Sequence, residues 1–186
     1  MSKWTPESVP YGVSKFEELR RAGLYFVDKS DYIRKLEERS FFTFFVRPRR
    51  FGKSLFVDML RCYYDQNKKN DFELFFGDLK IGKNPTKHAN KYQVLALDFS
   101  QVNKGKGLTL EDRFDEYMRT WLLDFANRYP ECYDAAVRAT FSTLGSGVLF
   151  DRIKAIAAEK QVQLYLIIDE YDNFTSQLIR EDGNEE

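Results

Sequence analysis

The sequence predicts an α/β fold in which a parallel sheet is flanked by helices. Three apolar segments, near residues 41–47, 92–99 and 162–169, have the length of strands and are nearly continuous runs of branched and aromatic residues. Such runs are typical of parallel strands that are covered on both faces. Segments with helical periodicity lie between them, and this alternation favours parallel strands joined by helical crossovers.

Two short helices are predicted before the first strand. The capping signals around Ser14 indicate a helix over 15–22, and an apolar face indicates a second helix over 31–39 after Ser30. Ser14 and Glu17 match the capping-box pattern, and Ser30 is the expected N-cap of the second helix. Both helices are therefore expected to begin at side-chain caps.

Longer helices are predicted between the strands. Apolar residues repeat with a helical period after Lys53, and Thr109 can cap an amphipathic helix over roughly 110–129. Two more helices, over 130–143 and 148–160, are expected before the last strand. The resulting order of strands and helices is the one that a parallel sheet requires.

Composition limits the class of protein. The 186 residues are enough for one globular domain, and the 29 Lys and Arg residues balance the 29 Asp and Glu residues. The two cysteines, Cys62 and Cys132, and the single histidine, His88, are too few for a disulfide framework or a multi-histidine metal site. Because the sequence has no signal peptide and no apolar run of about 20 residues, we expect a soluble cytoplasmic protein without a membrane partner.

Residues 41–54 carry the clearest chemical signal, because a strand and a basic turn lead into Gly52-Lys53-Ser54 at the start of a helix. Backbone N–H groups and the positive end of the helix dipole converge on an anion at such a junction. Lys53 would reach the β- and γ-phosphates of a nucleotide, and the Ser54 hydroxyl would bind Mg²⁺. The predicted nucleotide-binding residues are Arg49, Arg50, Phe51, Gly52, Lys53, Ser54 and Leu55.

The match to the phosphate-loop pattern G-x-x-x-x-G-K-[ST] is incomplete, because Arg47 replaces the first glycine. Pro48 favours an extended Arg47 and has no N–H group, so the residues from Arg49 to Ser54 are expected to supply the donors. We expect Pro48 to be trans. The alternative interpretation is a strand–helix turn whose basic residues are only solvated.

The second half of the site is predicted where the third strand ends, at Asp169 and Glu170. A parallel strand that ends in a carboxylate presents it at the carboxyl edge of the sheet, where the phosphate loop also lies. Asp169 would hold Mg²⁺ through water, opposite Ser54, and Glu170 would orient or deprotonate an attacking water molecule. Solvated acids before a helix are the alternative, but the two halves occur in the chain order that a P-loop NTPase requires.

With these motifs the sequence resembles the AAA-ATPase-like proteins of bacteria, archaea and some eukaryotes over almost its whole length. Five segments carry the resemblance: residues 11–20, 25–30, 47–55, 97–100 and 167–172. It implies a P-loop NTPase-type fold of the ASCE or AAA-like kind, with Lys53 and Ser54 in the nucleotide site. It also implies Asp169 and Glu170 in the Mg²⁺ and water site. The family normally lacks the first glycine, so Arg47 agrees with the resemblance.

The resemblance also predicts how the chain is organised. Residues 1–40 would form an arm and helices near the nucleotide base, residues 41–180 a truncated P-loop core, and residues 181–186 an acidic tail. Related ATPases bind the base near the segment of Asp28 and Lys29, although a solvated turn is the alternative. Only 16 residues follow Glu170, so we expect a core that is incomplete at its C-terminus and lacks the sensor strand and arginine finger.

The leading functional hypothesis is a Mg²⁺-dependent module that binds and hydrolyses ATP and couples nucleotide state to a C-terminal domain or a partner protein. A nucleotide-binding switch or scaffold that does not hydrolyse is the first alternative. A P-loop phosphotransferase is disfavoured by the water-activating position of Glu170. A nucleic-acid-binding module that uses Arg47, Arg49 and Arg50 is the third alternative. Family members often continue into a nuclease-like domain, and no counterpart to it is predicted in this sequence.

Overall fold

The computed structural model describes residues 9–39, 42–46, 51–102 and 109–172. The chain divides into two compact units, residues 1–92 and 93–186. Helices dominate the described part of the first unit, whereas the second combines helices with a small parallel sheet. The chain is therefore α/β, as predicted, but its described residues form two strands and not three.

The first unit is built from short helices around one longer helix. They are α1 (Phe16–Arg21), α2 (Asp31–Glu37), α3 (Lys53–Tyr64), α4 (Phe72–Phe76) and α5 (Lys80–Lys83), with a 3-10 helix over Gln66–Asp71. The first three helices lie where the sequence predicts them.

Aromatic side chains form the core of the first unit. Phe16 of α1 and Phe76 of α4 are fully buried, with ring centroids 5.2 Å apart, and Tyr63 of α3 meets Phe76 edge-on at 5.3 Å. Such aromatic pairs contribute about 0.5–1.5 kcal/mol each beyond the effect of burial. These contacts hold α1, α3 and α4 together, and they account for the aromatic-rich composition.

Asp28 joins the start of α2 to the start of α5. Its Oδ1 accepts hydrogen bonds from the Ser30 N–H (2.9 Å) and Oγ–H (2.6 Å), and its Oδ2 accepts one from the Lys80 N–H (2.9 Å). Burial alone would raise the pKa of Asp28, but the hydrogen bonds from Ser30 and Lys80 lower it below its usual value. The carboxylate is therefore stabilised in its charged form by the fold.

The side-chain caps predicted for the first two helices are not formed. Ser30 is at the N-cap position of α2 but makes no side-chain cap, because its hydroxyl is engaged with Asp28 and with the Ile81 N–H. Lys15, not Ser14, is the N-cap of α1. The capping box fails because the Glu17 N–H donates to Asp58 Oδ2 (3.1 Å), and its carboxylate binds Lys68 and Arg21.

The first predicted strand is wrong over its described part. Residues 42–46 belong to no strand, and the side chains of Phe42, Phe44 and Val46 are 82–88% exposed. Phe45 packs instead on the side of α3, with its ring stacked on Phe56 at 4.9 Å. A strand must exchange hydrogen bonds with a neighbour, and the described part of this unit offers only a single bridge, between Asp65 and Tyr92.

The second unit places a two-stranded parallel sheet against helices. Its elements are β1 (Tyr92–Asp98), which starts at the unit boundary, a 3-10 helix (Phe99–Gln101), α6 (Leu110–Arg128), α7 (Ala135–Ala139), α8 (Ser146–Glu159) and β2 (Gln163–Asp169). Both predicted strands of this unit are confirmed. The helix predicted over 130–143 shrinks to α7, because Asp134 caps a new helix by accepting from the Val137 N–H (2.9 Å).

Helices α6 and α8 bury the inner face of β1. Leu95 and Leu97 pack in one cluster with Leu122 and Phe125 of α6 and Ile153 of α8. The predicted cap of α6 is confirmed as a full capping box: Thr109 Oγ1 accepts from the Asp112 N–H, and the Asp112 carboxylate accepts from the Thr109 N–H. The amphipathic pattern of α6 therefore predicts both its start and its buried face.

We expect Asp28→Asn to destabilise the protein by about 1–2 kcal/mol at neutral pH, because an amide cannot accept all three hydrogen bonds that the carboxylate accepts. A carboxylate whose pKa is lowered by folding adds stability above its unfolded pKa, near 3.9, and loses it as the pH falls through the folded pKa. Urea unfolding across the acidic range should therefore show the difference between wild type and variant shrinking below about pH 4.

Asp31→Asn is the matched control for this measurement. Asp31 faces Lys80 at 3.4 Å, and both side chains are at least half exposed. Such surface ion pairs contribute about 0–1 kcal/mol. Equal losses in the two variants would show that the hydrogen bonds of Asp28 are not what stabilises this junction.

We expect Gly52→Ala to cost about 1–2 kcal/mol, because Gly52 has φ +75° and a left-handed backbone is strained for residues with a Cβ. No atom lies within 4 Å of a Cβ built there, so backbone strain is the whole effect. The control is Gly147→Ala in α8, where a Cβ also meets nothing within 4 Å and φ is not positive. Denaturant unfolding should show little or no loss for this control, and equal losses would contradict the assignment of strain to Gly52.

Candidate functional site

The N-terminus of α3 is the candidate anion site of the first unit. Gly52 adopts a left-handed conformation (φ 75°, ψ 26°) and α3 begins at Lys53. The Phe56 N–H donates to the Gly52 carbonyl (3.0 Å), which begins the hydrogen-bond ladder, and the preceding N–H groups point out of the helix end. The first turn contains no acidic residue. The positive end of the helix dipole is therefore not offset by a carboxylate of its own turn.

The residues that sequence analysis assigned to this helix start are accessible. Gly52 and Ser54 are exposed, Lys53 and Leu55 are half-buried, and the Phe51 side chain is 64% exposed. Arg49 and Arg50 lie outside the described residues, as do Arg47 and Pro48, so the expected geometry at those positions stays a prediction. Of the described residues before the helix, 42–46 form no strand, and α3 begins at Lys53.

An apolar cavity of about 300 Å³ opens beside the start of α3. Its walls come from segments far apart in the first unit: Pro10, Leu19 of α1, residues 25–27, Lys29 and Tyr32 at the start of α2, Phe45, and five residues between Phe51 and Met59 around α3. Gly52 itself lines the cavity, so the apolar space and the helix N-terminus adjoin. The site therefore combines a hydrophobic recess with a cluster of backbone N–H groups.

Of the two residues that sequence analysis considered for base binding, only one lines the cavity. Lys29 lines the cavity, whereas Asp28 holds the α2–α5 junction and has a structural role. Sequence reasoning did not single out Tyr25, Phe26 or Phe45 as site residues. Nothing in local periodicity identifies them, because the cavity is formed by segments far apart in the chain.

In the second unit, β2 ends with the two predicted acids. Asp169 and Glu170 are both half-buried, and the Glu170 N–H donates to Asp169 Oδ1 (2.9 Å). Glu170 has φ 55°, a left-handed conformation that is uncommon for a residue with a side chain. Ile167, two residues earlier, is buried and anchors the strand. The backbone thus turns sharply where the two carboxylates leave the sheet.

Asp98 ends the neighbouring strand β1, at the same edge of the parallel sheet. Its side chain accepts from the Ser100 N–H (3.0 Å), which starts the following 3-10 helix. The Tyr117 hydroxyl accepts from the Asp98 N–H (2.9 Å) and donates to its carbonyl (2.7 Å), and burial raises the pKa of Tyr117 to about 12. These contacts give Asp98 a structural role.

Each half of the predicted site is defined within its own unit. Lys53 and Ser54 belong to the first unit, and Asp169 and Glu170 belong to the second. Their joint use in one site stays a prediction.

The donor set is the kind that Mg²⁺ accepts. Within the described ranges no group of three or more His, Cys, Asp or Glu residues is assembled to hold a metal ion. Mg²⁺ does not require such a cage, because it commonly binds one or two protein oxygens together with phosphate and water. The Ser54 hydroxyl and the Asp169 carboxylate therefore fit the ion chemically.

The chain is similar to a protein of Azotobacter chroococcum mcd 1 described as an uncharacterized protein in the vnfD 5′ region. The two are 28% identical over 174 residues, which is 89% of this chain and 29% of that protein. The chain therefore spans less than a third of the length of this relative. No solved structure matches the chain.

None of the helices in the described ranges combines the length and hydrophobicity needed to cross a membrane.

A family model described as predicted AAA-ATPase matches residues 10–186. Because this match covers nearly the whole sequence, the chain belongs to the AAA-ATPase-like family.

Proposed function

We propose that the chain is a Mg²⁺-dependent module that binds and hydrolyses ATP and couples its nucleotide state to a partner domain. The observation that carries the proposal is the apolar cavity adjoining the N-terminus of α3 at Gly52-Lys53-Ser54. Membership of the predicted AAA-ATPase family supports a nucleotide as the ligand. The two parts of the recess match the two parts of a nucleotide, an apolar base and an anionic phosphate chain.

In this proposal the base occupies the cavity. Its volume of about 300 Å³ lies at the lower end of the range for small-molecule pockets. Tyr25, Phe26 and Phe51 line it, and aromatic rings can stack on either face of a purine. Lys29 supplies a cation at the rim of an otherwise apolar surface. The mostly apolar walls favour a flat heterocycle over a charged group.

The phosphates would then lie on the N–H groups that begin α3. Phe51 and Gly52 line the cavity and immediately precede the helix, so a base in the cavity directs its phosphate chain toward Lys53. The Lys53 ammonium would pair with the β- and γ-phosphates, and the N–H groups from Arg49 to Leu55 would complete the cradle. The left-handed Gly52 lets the backbone turn into the helix at this point without a Cβ.

Hydrolysis would use the acids at the end of β2. A Mg²⁺ ion held at the site would supply positive charge to offset the charge that develops on the phosphates. Ser54 and, through water, Asp169 would hold the ion, and Glu170 would accept a proton from the attacking water. Coupling to a C-terminal domain or partner protein is proposed because the relative is longer than this chain.

If Lys53 contacts phosphate, Mg²⁺–ATP at about 100 times its dissociation constant should stabilise the protein by about 2.7 kcal/mol. For a chain of this size, the melting temperature should rise by roughly 5–10 °C. Lys53→Ala should abolish that rise, measured by thermal unfolding with and without nucleotide. The control is Lys69→Ala, at an exposed position in the 3-10 helix, and it should keep the full rise.

A second variant in the same assay separates the base from the phosphates. Tyr25 lines the cavity and is 50% exposed, so Tyr25→Ala leaves the core intact. It should reduce the rise caused by Mg²⁺–ATP but not the rise caused by inorganic tripolyphosphate. Equal rises for wild type and Lys53→Ala would sink the assignment of the α3 N-terminus as the phosphate site.

The roles of the two acids are tested in the full-length protein. Glu170→Gln removes the charge but keeps the shape, so it should bind ATP as tightly as wild type while turnover falls about 10²–10⁴-fold. Asp169→Ala should instead weaken the affinity for Mg²⁺–nucleotide. Steady-state hydrolysis and nucleotide titration measure the two effects.

The outcomes distinguish the enzyme from the switch. Wild-type turnover in Glu170→Gln would rule out Glu170 as the general base. Tight binding without turnover in the full-length wild type would instead favour the non-hydrolysing nucleotide switch, which shares the binding site and differs only in this step.

A further inference from the structure

The net charge of zero conceals two units of opposite sign. Residues 1–92 contain 19 Lys and Arg against 12 Asp and Glu, a net charge of +7. Residues 93–186 contain 10 against 17, a net charge of −7. A strongly basic unit attracts polyanions, and such an excess is the electrostatic sign of nucleic-acid binding. The excess in the first unit is larger than one phosphate loop needs.

Much of this positive charge lies on a segment with no acidic residue. Residues 79–97 contain no Asp or Glu, whereas Lys80, Lys83, Lys87 and Lys91 recur every three or four positions. All four lysines are exposed. Lys80 faces Asp31, but the other three form no ion pair among the residues that the structure describes. Their charges are therefore available to a ligand.

Helix α2 borders this segment and contributes one cation, Arg34, to the same surface. Arg34 of α2, Lys87 and His88 line an open depression of about 500 Å³, together with Thr86. Two acidic residues, Glu37 and Glu38, also line it. Glu38 is exposed, whereas Glu37 Oε1 accepts from the Tyr64 hydroxyl (3.1 Å) and the Thr86 hydroxyl (2.9 Å). Glu37 is thus held in an internal hydrogen-bond network beneath the basic surface.

The basic surface is also firmly attached to the core. The Thr86 N–H donates to the hydroxyl of the fully buried Tyr63 (2.8 Å), and an Arg34 nitrogen donates to the Asn84 carbonyl (2.5 Å). His88 Nδ1 and the Tyr92 hydroxyl are 2.6 Å apart. These bonds fix the segment between α5 and β1 against α2. The lysines are therefore presented from a braced support, which lowers the entropy lost on binding.

We propose that this surface, formed by Arg34, Lys83, Lys87, His88 and Lys91, binds the phosphodiester backbone of a nucleic acid without reading its sequence. Several separate cations spread over one surface match a ligand with regularly repeated phosphates. Lysine is a point charge that neutralises phosphate, and contacts to phosphate carry no direct sequence information. The surface is distinct from the α3 N-terminus, so the inference does not rest on the proposed ATPase activity.

An anionic membrane fits this surface less well. Basic segments that lie on membranes pair their charges with exposed apolar side chains that enter the lipid. Between residues 77 and 97, all of which the structure describes, no large apolar side chain is exposed. The groups between the lysines are small or polar, such as Asn84, Pro85 and Thr86. This composition favours nucleic acid.

The test titrates the 186-residue chain with a short fluorescently labelled DNA duplex at salt concentrations from about 50 to about 200 mM. Wild type should bind, and the logarithm of its affinity should fall linearly with the logarithm of the salt concentration. In the triple variant Lys83→Gln, Lys87→Gln and Lys91→Gln, affinity should drop and the slope should become shallower by about 2.7, or about 0.9 for each lost contact.

The matched control changes the same net charge elsewhere, in the triple variant Lys15→Gln, Lys69→Gln and Lys154→Gln, whose lysines are all exposed. It should keep the wild-type slope, and both variants should melt at the wild-type temperature. Excess Mg²⁺–ATP should leave DNA binding unchanged.

Four outcomes would overturn the proposal. The first three are that wild type fails to bind DNA at low salt, that the two triple variants lose equal affinity for DNA, and that ATP displaces the DNA. The fourth is that the first triple variant changes only binding to phosphatidylserine vesicles or salt-dependent self-association. The last would assign the surface to a membrane or to the acidic unit of a second copy.

Discussion

Helix α3 must bury its middle and leave its first turn open, and the first unit is arranged around this requirement. Met59 and Tyr63 are almost fully buried, and Tyr63 contacts the aromatic core that α1 and α4 complete. At the far end, Asn90 donates to the Cys62 and Asp65 carbonyls, and its own N–H donates to the Tyr63 carbonyl. The last carbonyls of α3 are thus satisfied from within the fold. Its N-terminal N–H groups can then face a ligand without destabilising the helix.

Sequence patterns predicted correctly those helices and strands that are determined by residues close together in the chain. The start of α6 follows from Thr109 and Asp112, three residues apart, and β1 and β2 follow from apolar runs with strand length. The start of α3 follows from the combination of Gly52 with the periodic segment after it. In each case the residues that decide the structure are close neighbours in the chain. The two motifs of the candidate site are likewise short stretches of neighbouring residues, and their joint function stays a prediction.

Features that depend on distant residues were beyond those patterns. Residues 42–46 have the composition of a buried strand, but pairing depends on a neighbour that composition cannot specify, and Phe45 packs on Phe56 of α3 instead. Ser30 is of a residue type that commonly caps helices, but its hydroxyl is hydrogen-bonded to the Asp28 carboxylate and to the Ile81 N–H. The apolar cavity is a third case, because Tyr25, Phe45 and Met59 meet only after folding. A sequence pattern states what a residue can do, and tertiary contacts decide which possibility is used.

The division of charge between the units suits the chemistry proposed for each. Binding of phosphate calls for cations and N–H donors, and the unit that contains Lys53 has the positive excess and a helix start without acids. Metal ligation and activation of water call for carboxylates, and the unit that contains Asp169 and Glu170 has the negative excess. A carboxylate placed among the N–H groups of α3 would repel phosphate, and a lysine placed beside Asp169 would compete with the metal ion. Keeping the two sets of groups in separate units therefore lets each one retain the charge state on which its proposed role depends.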